Sequence, residues 1–341
     1  MGLSSLSGRQ DAQSGSSQSQ QHGPPYAPTN ASLGGLPTVK LDVPITSVFL
    51  GLFLLGAIGH MTVFQVNRKH GHNFVISGAM FGFCMARSVA CIMRIVWANR
   101  PRSVPIALAA SIFVLVGSVI GFIVNLNFAH RIIRALNPKV GWHPALKLTF
   151  IFIYCLVGIS IALLVSFTVA SFYTLDPAKR RNTRDVQLYG STVFAVVAFL
   201  PIPTVLVALA TGPKTGRENF GVGTIRSKII LLFYGATLLA LGAWFRAGTN
   251  YLTPRPASRP RPDQSKACFY VFYFTVEILV IWTYLIFRID QRYHVPDGSR
   301  GPGDYSKSVF YEMETAKTGM RGRNYSFTSS LQPICEGPVI Y

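Results

Sequence analysis

Residues 146–173 read LKLTFIFIYCLVGISIALLVSFTVASFY, a nearly unbroken apolar stretch that decides the fold. Six further stretches of this kind, each about twenty to twenty-five residues long, divide the chain between Leu41 and Arg288. A bilayer core of roughly 30 Å needs about 20 helical residues to cross it, because each residue rises ~1.5 Å and every backbone polar group must be bonded internally. The pattern therefore predicts an all-α integral membrane protein with a seven-transmembrane helix bundle.

The predicted spans define the domain organisation. Within a bundle that covers residues 41–290, we place them at residues 43–66, 74–97, 104–128, 146–173, 187–211, 227–251 and 268–288. Residues 1–40 and 291–341 are rich in polar and small side chains, and such segments cannot bury enough apolar area to offset their conformational entropy. We therefore predict disordered tails on both sides of the bundle.

The composition supports the membrane interpretation. Hydrophobic residues make up 50% of the chain and charged residues 13%, against about 25% charged residues in an ordinary soluble domain. The formal net charge is +19, but nearly all Lys and Arg lie between or after the apolar stretches, where basic loops contact anionic headgroups and set the topology. We therefore expect membrane lipids as partners, and no nucleic acid.

Residues typical of metalloenzymes and retinal proteins do not cluster in this sequence. The five cysteines are scattered, so neither a disulfide framework nor a zinc spacing emerges. Zinc hydrolases need three clustered ligands, whereas the histidines occur singly at span edges or in loops, and the last span has no lysine for a Schiff base. We expect no metal, no cofactor and no catalytic residues, and therefore no enzyme.

The tails decide the predicted orientation, because the short loops on the two sides carry equal numbers of Lys and Arg. The segment after Arg288 contains six basic residues, while the first 42 residues contain only Arg9 and Lys40. The positive-inside rule then places the N-terminus outside and the C-terminus in the cytosol. Of two N-x-[ST] sequons, Asn30 is then the glycosylation candidate and Asn324 is not. Plasma membrane and endomembrane both remain open.

Arg87 and Arg94 lie seven residues apart in the second span, and about two helical turns put them on one stripe of that helix. An arginine at mid-bilayer costs about 2.5–3.5 kcal/mol on insertion scales, so it normally faces the bundle interior or a counter-charge. Glu277 is the only carboxylate within a predicted span and lies near the middle of the seventh. Equal depth makes Arg87 and Glu277 an ion-pair candidate, and a purely structural clamp is the alternative role.

A further cation, Arg246, lies in the last third of the sixth predicted span, toward the same membrane face as Arg94. Two guanidinium groups in one leaflet predict a binding site for an anionic group such as a lipid phosphate. Trp97 and Trp244 lie beside them, where amphipathic rings are enriched in membrane proteins. The alternative is that either arginine snorkels to the interface as an anchor.

Prolines and polar residues mark two other features of the predicted bundle. Pro201 and Pro203 each remove a backbone donor inside the fifth span, so we predict a kink that serves as a hinge. His60, Asn125 and Asn127 place polar atoms toward the opposite membrane face. Buried polar residues of this type usually hold helices together.

Several blocks carry a resemblance to known membrane proteins, namely residues 82–94, 141–144, 187–190, 199–203, 265–270 and 292–305. Over residues 43–305 the chain resembles a family of filamentous-fungal seven-helix proteins of unknown function, often labelled family C-like G-protein-coupled receptor proteins. It is more faintly similar to the RTA-like lipid-translocating exporters, which have seven spans and a His, an Arg and a Glu at positions that would correspond to His60, Arg87 and Glu277.

Three functions fit these observations. The first is a receptor-like sensor that binds a lipid or other anionic amphiphile and addresses cytosolic signalling proteins through its C-terminal tail. The second is lipid translocation or export, in which the stripe with Arg87 and Glu277 guides an anionic headgroup. The third is a membrane scaffold without a ligand. Missing receptor switch motifs disfavour the first, and a missing nucleotide-binding motif excludes direct ATP coupling for the second. We take the receptor-like sensor as the working hypothesis.

Overall fold

The computed structural model describes residues 23–26, 30–69, 74–213, 217–296 and 298–306, and within these ranges the protein is helical apart from one isolated β-bridge. Seven of the described helices are long and apolar enough to cross a membrane. Spans 1 to 7 are Val39–Lys69, Val75–Asn99, Val104–Leu136, Pro144–Tyr173, Pro177–Thr211, Ile225–Tyr251 and Lys266–Ile286. The prediction of an all-helical, seven-span, multi-pass membrane protein is confirmed.

Several observed helices begin earlier than the predicted spans because their first turns are polar and capped. The Asp176 side chain accepts from the Ala178 amide, and Pro177 occupies the first helical position of span 5, a position that proline favours. Span 5 therefore starts ten residues before the predicted residue 187. Span 1 starts at Val39 instead of residue 43 and so includes Asp42. Both extensions add charged residues to the bundle.

Span 3 is the central helix of the bundle. It contacts spans 2, 4, 5 and 6, while span 1 packs against spans 2 and 7. Small residues allow this close approach: a β-carbon at Gly121 of span 3 would lie 2.9 Å from a methyl group of Leu239 in span 6. Large apolar side chains such as Phe152, which is 64% exposed, cover the outside. Such exposure suits a lipid environment, because hydrocarbon chains are as apolar as these side chains.

Spans 5 and 7 are not regular α-helices throughout. Span 5 consists of Pro177–Phe199 and Pro201–Thr211, joined at Leu200, which keeps helical dihedral angles (φ −52°, ψ −35°). The proline therefore interrupts the hydrogen-bond ladder without unwinding the chain. Hinge motion at Pro201 and Pro203 stays a prediction. In span 7, a π-helix over Tyr270–Thr275 directly precedes Val276–Ile286, and π segments are frequent at functional sites.

The packed bundle is longer at its N-terminal side than the predicted boundary at residue 41. Residues 30–38, assigned to a disordered tail, lie against the loop between spans 6 and 7. Asn30 forms an antiparallel bridge with Pro256, and the Gly34 amide donates to the Gln264 carbonyl (3.0 Å). Gly34 has φ +79°, and a β-carbon there would collide with the Phe269 ring, so glycine suits both the conformation and the contact.

Residues 289–296 and 298–306, assigned largely to a disordered cytosolic tail, fold back on the opposite end of the bundle. Tyr293 and Tyr305 are buried, and the Tyr293 ring stacks on Phe128 with centroids 3.9 Å apart. Glu218 accepts from the amides of Gly303 (2.7 Å) and Tyr305 (3.2 Å). Two aromatic rings bury enough area to order a polar segment. Residues 1–22, 27–29, 297 and 307–341 of the predicted tails, including Asn324, lie outside the described residues.

Candidate functional site

A cavity of about 820 Å³ opens at the end of the bundle that carries residues 30–38. It lies between spans 2 to 7, and along span 3 its lining runs from Ala107 to Phe122, fifteen residues or about 22 Å at ~1.5 Å per residue. The volume falls within the range of about 300–1,000 Å³ that is usual for small-molecule sites. In the predicted orientation the opening faces outside.

Arginine is the only charged residue type in the described lining. The six lining arginines are Arg94, Arg180, Arg181, Arg184, Arg246 and Arg261. Apolar side chains form much of the remaining wall, among them Leu33, Trp97, Val114, Leu115, Leu164, Leu188, Phe194 and Phe269. Over the described ranges of the chain, no three His, Cys, Asp or Glu side chains are grouped as metal ligands would be.

Ser118 of span 3 connects two arginines to Glu277 at the floor of the cavity. Its hydroxyl donates to Glu277 Oε1 (2.9 Å) and accepts from Arg87 Nη2 and from Arg246 Nη1 (2.6 Å). Arg87 Nη2 also donates to Glu277 Oε1 (2.5 Å), and Arg87 Nε contacts Oε2. Arg87, Ser118 and Glu277 are buried. The structure thus brings together Arg87 and Glu277, the two residues that the sequence proposes as a pair.

The floor carries more positive than negative charge. Glu277 is held closely by Arg87, while Arg246 Nη1 lies 3.8 Å from Glu277 Oε1. The Arg246 guanidinium is 4.7 Å from the centre of the Tyr273 ring, and the Arg246 side chain is 15% exposed. Two guanidinium groups around one carboxylate leave about one positive charge uncompensated, which is costly away from water. An anion in the cavity would remove that cost.

Arg94 also lines the cavity, but its hydrogen-bond partners differ from those of Arg246. Its Nη2 donates to Asp42 Oδ1 (2.8 Å) and to the Gly34 carbonyl (3.0 Å), and its guanidinium lies 4.1 Å from the centre of the Phe269 ring. The structure therefore does not bring Arg94 and Arg246 together on one anionic group. Arg94 instead anchors residues 30–38 to span 2.

Asp42 is a second buried carboxylate within the spans, so the prediction that Glu277 is the only one is wrong. Besides Arg94, it accepts from Lys266 Nζ (2.5 Å) and from the Tyr270 hydroxyl (2.8 Å). The sequence pattern missed it because the polar first turn of span 1 lowers the local hydropathy. The helix continues through this turn, since Asp42 finds partners on spans 2 and 7.

The two tryptophans of the predicted site face different directions. Trp97 is 8% exposed and lines the cavity, whereas Trp244 is 49% exposed and is not part of the described lining. Trp244 and Arg246 are two residues apart on one helix, which places them about 200° apart around its axis. Because Arg246 faces the cavity, Trp244 faces outward. Trp244 therefore lies apart from the other predicted ligand-binding residues, and its part in ligand binding stays a prediction.

His60, Asn125 and Asn127 lie toward the other end of the bundle and outside the described lining. His60 Nε2 is 3.3 Å from the Ile281 carbonyl, and the Tyr284 hydroxyl donates to Asn125 Oδ1 (2.5 Å). Asn127 donates to a carbonyl of its own helix. The first two contacts connect spans 1 and 3 to span 7, so His60 and Asn125 serve helix packing.

Sequence reasoning missed the arginines at the mouth of the cavity. Arg180, Arg181 and Arg184 lie in the first turns of span 5 and line the opening. Arg180 Nε donates to the Thr174 carbonyl (3.1 Å) and Arg184 Nη2 to the Leu252 carbonyl (3.2 Å). Because the predicted span began at residue 187, these three arginines were assigned to the loop that precedes it. The four-residue spacing of Arg180 and Arg184, which puts them on one helix face, was the available signal.

Arg261 borders the mouth from the loop between spans 6 and 7. It donates to the carbonyls of Thr249 (3.1 Å) and Thr253 (2.6 Å) at the end of span 6, and it binds Asp263 through two hydrogen bonds (2.9 and 3.1 Å). These hydrogen bonds lower the pKa of the Asp263 carboxyl below its ordinary value. Asp263 thus compensates the charge of Arg261, which acts as a C-terminal cap of span 6.

Comparison with known families identifies one region of the chain. Residues 223–294 match a family described as protein of unknown function (DUF3112). The chain carries a DUF3112 domain. The domain covers spans 6 and 7 and so includes Arg246, Arg261 and Glu277. No curated protein and no solved structure matches the chain, so the receptor label receives no support from relatives.

Proposed function

We propose that this multi-pass membrane protein is a receptor-like sensor that binds an anionic amphiphile in the cavity. The observation that carries the proposal is the floor, where Arg87 and Arg246 share the carboxylate of Glu277. An anion beside Arg246 compensates the excess positive charge. The planar guanidinium group suits carboxylates and phosphates because it binds them with two parallel hydrogen bonds.

The walls above the floor favour an amphiphile over a small inorganic anion. Val114 and Leu115 of span 3, Leu164 of span 4 and Phe194 of span 5 line this part of the cavity. Burial of apolar area contributes about 25 cal/mol per Å², so a hydrocarbon chain along these walls adds affinity that a bare anion lacks. Charge and chain length should therefore both determine binding.

The shape of the cavity favours sensing over export. The described lining reaches from the mouth to Phe122 and Tyr273, while farther along the bundle His60 and Asn125 make contacts between helices. A passage through the bilayer would need polar groups along its whole length. Within the described residues the cavity therefore opens at one end of the bundle, as expected for a ligand-binding site.

A signal requires a ligand that contacts two states of the protein differently. An anion that draws Arg246 toward itself changes the 3.8 Å approach between Arg246 and Glu277. Glu277 is the second residue after the π-helix Tyr270–Thr275, a segment whose hydrogen bonding differs from the rest of span 7. Cytosolic signalling proteins that contact the C-terminal tail are the partners that this mechanism needs.

The test measures thermal stabilisation of the purified protein in a neutral detergent. Dodecanoate should raise the Tm more than dodecanol, which has the same chain and no charge. A ligand at 100 times its Kd stabilises by about 2.7 kcal/mol, and Arg246→Gln should lose most of this effect. Arg102→Gln is the matched control, because Arg102 is exposed at the same end of the bundle and outside the described lining.

A second pair of variants separates the cavity from the lipid-facing surface. Trp97→Phe should weaken the response to dodecanoate, whereas Trp244→Phe should not, because only Trp97 lines the cavity. Equal stabilisation by dodecanol and dodecanoate, or a wild-type response of Arg246→Gln, would contradict the proposal. The scaffold function would then be the better explanation.

A further inference from the structure

The arginines at the mouth form a second cationic site, distinct from the floor. Arg180 and Arg184 lie one turn apart on span 5 with Arg181 beside them, and all three line the opening. Arg180 and Arg184 each donate to a backbone carbonyl, and none of the three takes part in the ion pairs of the described residues. A neutral carbonyl satisfies a donor but does not compensate its charge.

The helical rise along spans 5 and 6 gives the separation between the mouth and the floor of the cavity. On span 6, Arg246 precedes Leu252, whose carbonyl accepts from Arg184, by six residues or about 9 Å. On span 5, Arg184 precedes Phe194 by ten residues or about 15 Å, and the Phe194 ring lies 6.4 Å from the Phe122 ring at the floor. The two cationic sites therefore lie roughly 9–15 Å apart along the cavity.

The wall between the two sites has an apolar strip beside polar side chains such as Gln187 and Asn250. Leu188 of span 5 lies between Arg184 and Phe194, and Leu164 of span 4 packs against Gly190 at the same level. Val114 continues this surface on span 3. A ligand that reaches both cationic sites passes this strip, where a hydrocarbon middle gains affinity by burying apolar area.

We propose that the ligand is a single-chain α,ω-dianion, with one anionic end on Arg246 at the floor and the other on the cluster of Arg180, Arg181 and Arg184 at the mouth. This inference rests on the proposed function, since it takes the cavity to bind an anionic amphiphile. A monoanion leaves one cationic site uncompensated. A two-chain phospholipid places acyl chains, and no charge, at the site away from its headgroup.

The experiment is calorimetric titration of the full-length purified protein with dodecanedioate, dodecanoate and butanedioate. Dodecanedioate, whose extended chain fits a separation of roughly 9–15 Å, should bind about tenfold more tightly than dodecanoate, as one added charge-assisted contact predicts. Butanedioate has two charges but cannot reach both sites, so it should bind more weakly than either.

Variants at the mouth test which residues hold the second anion. Arg184→Gln and Arg181→Gln should each remove most of the preference for dodecanedioate, while their affinity for dodecanoate stays within about twofold of wild type. Arg184→Lys keeps the charge and should retain part of the preference. Arg102→Gln should change neither affinity. An unchanged Tm of the unliganded variants shows that they fold.

Three outcomes would overturn the inference in different ways. If the wild type binds dodecanoate and dodecanedioate equally, and Arg246→Gln still abolishes binding, the dianion is wrong and the proposed function stands. If the mouth variants weaken both ligands by the same factor, these arginines only attract anions to the opening, and the dianion is again wrong. If neither ligand binds, the inference and the proposed function both fail.

Discussion

Two clusters in this bundle each place one carboxylate between two cations. They differ in whether the second cation is within hydrogen-bond distance of the carboxylate. In the Asp42 cluster (Asp42, Arg94, Lys266 and Tyr270), the carboxylate accepts from all three partners at 2.5–2.8 Å. In the Glu277 cluster (Glu277, Arg87, Arg246 and Ser118), Arg87 pairs closely while Arg246 remains 3.8 Å away and borders the cavity. We call the first cluster closed, because both cations hydrogen-bond to its carboxylate, and the second open, because its second cation borders the cavity instead.

The comparison shows that charge count alone does not identify a binding site. Lys266, the outer cation of the Asp42 cluster, has a side chain that is 25% exposed, so water shares its charge. Arg246, the outer cation of the Glu277 cluster, has a side chain that is only 15% exposed and borders the cavity. The same composition thus produces a clamp in one place and a candidate ligand site in the other, because solvation of the second cation differs.

The largest expected effect is the loss of Glu277. Glu277→Leu should lower the free energy of unfolding by about 3–5 kcal/mol, because it leaves buried guanidinium groups unpaired. Arg87→Leu should cost less, since Arg246 remains near the carboxylate. The double variant should cost less than the sum of the single ones. A double-mutant cycle on the detergent-solubilised protein measures this coupling, and additive losses would show that the pair is not coupled.

Variants of the Asp42 cluster test whether it is closed. Asp42→Asn should lower the free energy of unfolding by about 3 kcal/mol, because Arg94 then lies buried without a carboxylate. Lys266→Gln should cost at most about 1 kcal/mol, the usual size for a partly exposed pair. Denaturant unfolding monitored by tryptophan fluorescence provides both values. Equal losses for the two variants would mean that Lys266 is as dependent on Asp42 as Arg94 is.

Arg246→Gln tests whether the Glu277 cluster is open. Without ligand, this variant should change the free energy of unfolding by less than about 1 kcal/mol, because it removes a charge that is already in excess. Its unfolding curve should be compared with that of Arg87→Leu under the same conditions. A loss as large as that of Arg87→Leu would show that Arg246 is an integral part of the ion pair.

The smallest expected effect on stability comes from the sequons, which determine the side on which the cavity opens. Asn30 is exposed near the opening, so an outside N-terminus predicts a glycan on Asn30 and none on Asn324. Glycosidase treatment should shift the electrophoretic mobility of the wild type and of Asn324→Gln but not of Asn30→Gln. A glycan on Asn324 would reverse the orientation and make the cytosol the source of the ligand.

Some features of the site follow from local sequence, and others do not. Arg87 and Glu277 were predictable as neighbours, because two opposite charges at equal depth in a bilayer have few other ways to be compensated. Asp42 and the arginines at residues 180–184 were not, because polar first turns resemble loops when only hydropathy is considered. That Trp244 and Arg246 face different directions was not predicted, because closeness in sequence does not show which way a side chain faces on a helix.

The sequence by itself determined the seven spans and the charges inside them, because crossing a bilayer requires long apolar helices and makes each intramembrane charge conspicuous. Only the tertiary structure decided how those charges are shared. It placed Arg246 at 3.8 Å from a carboxylate already held by Arg87, and it packed residues 30–38, 289–296 and 298–306 against the ends of the bundle. These arrangements depend on contacts between residues far apart in the chain, and the hydropathy of a single segment holds no information about them.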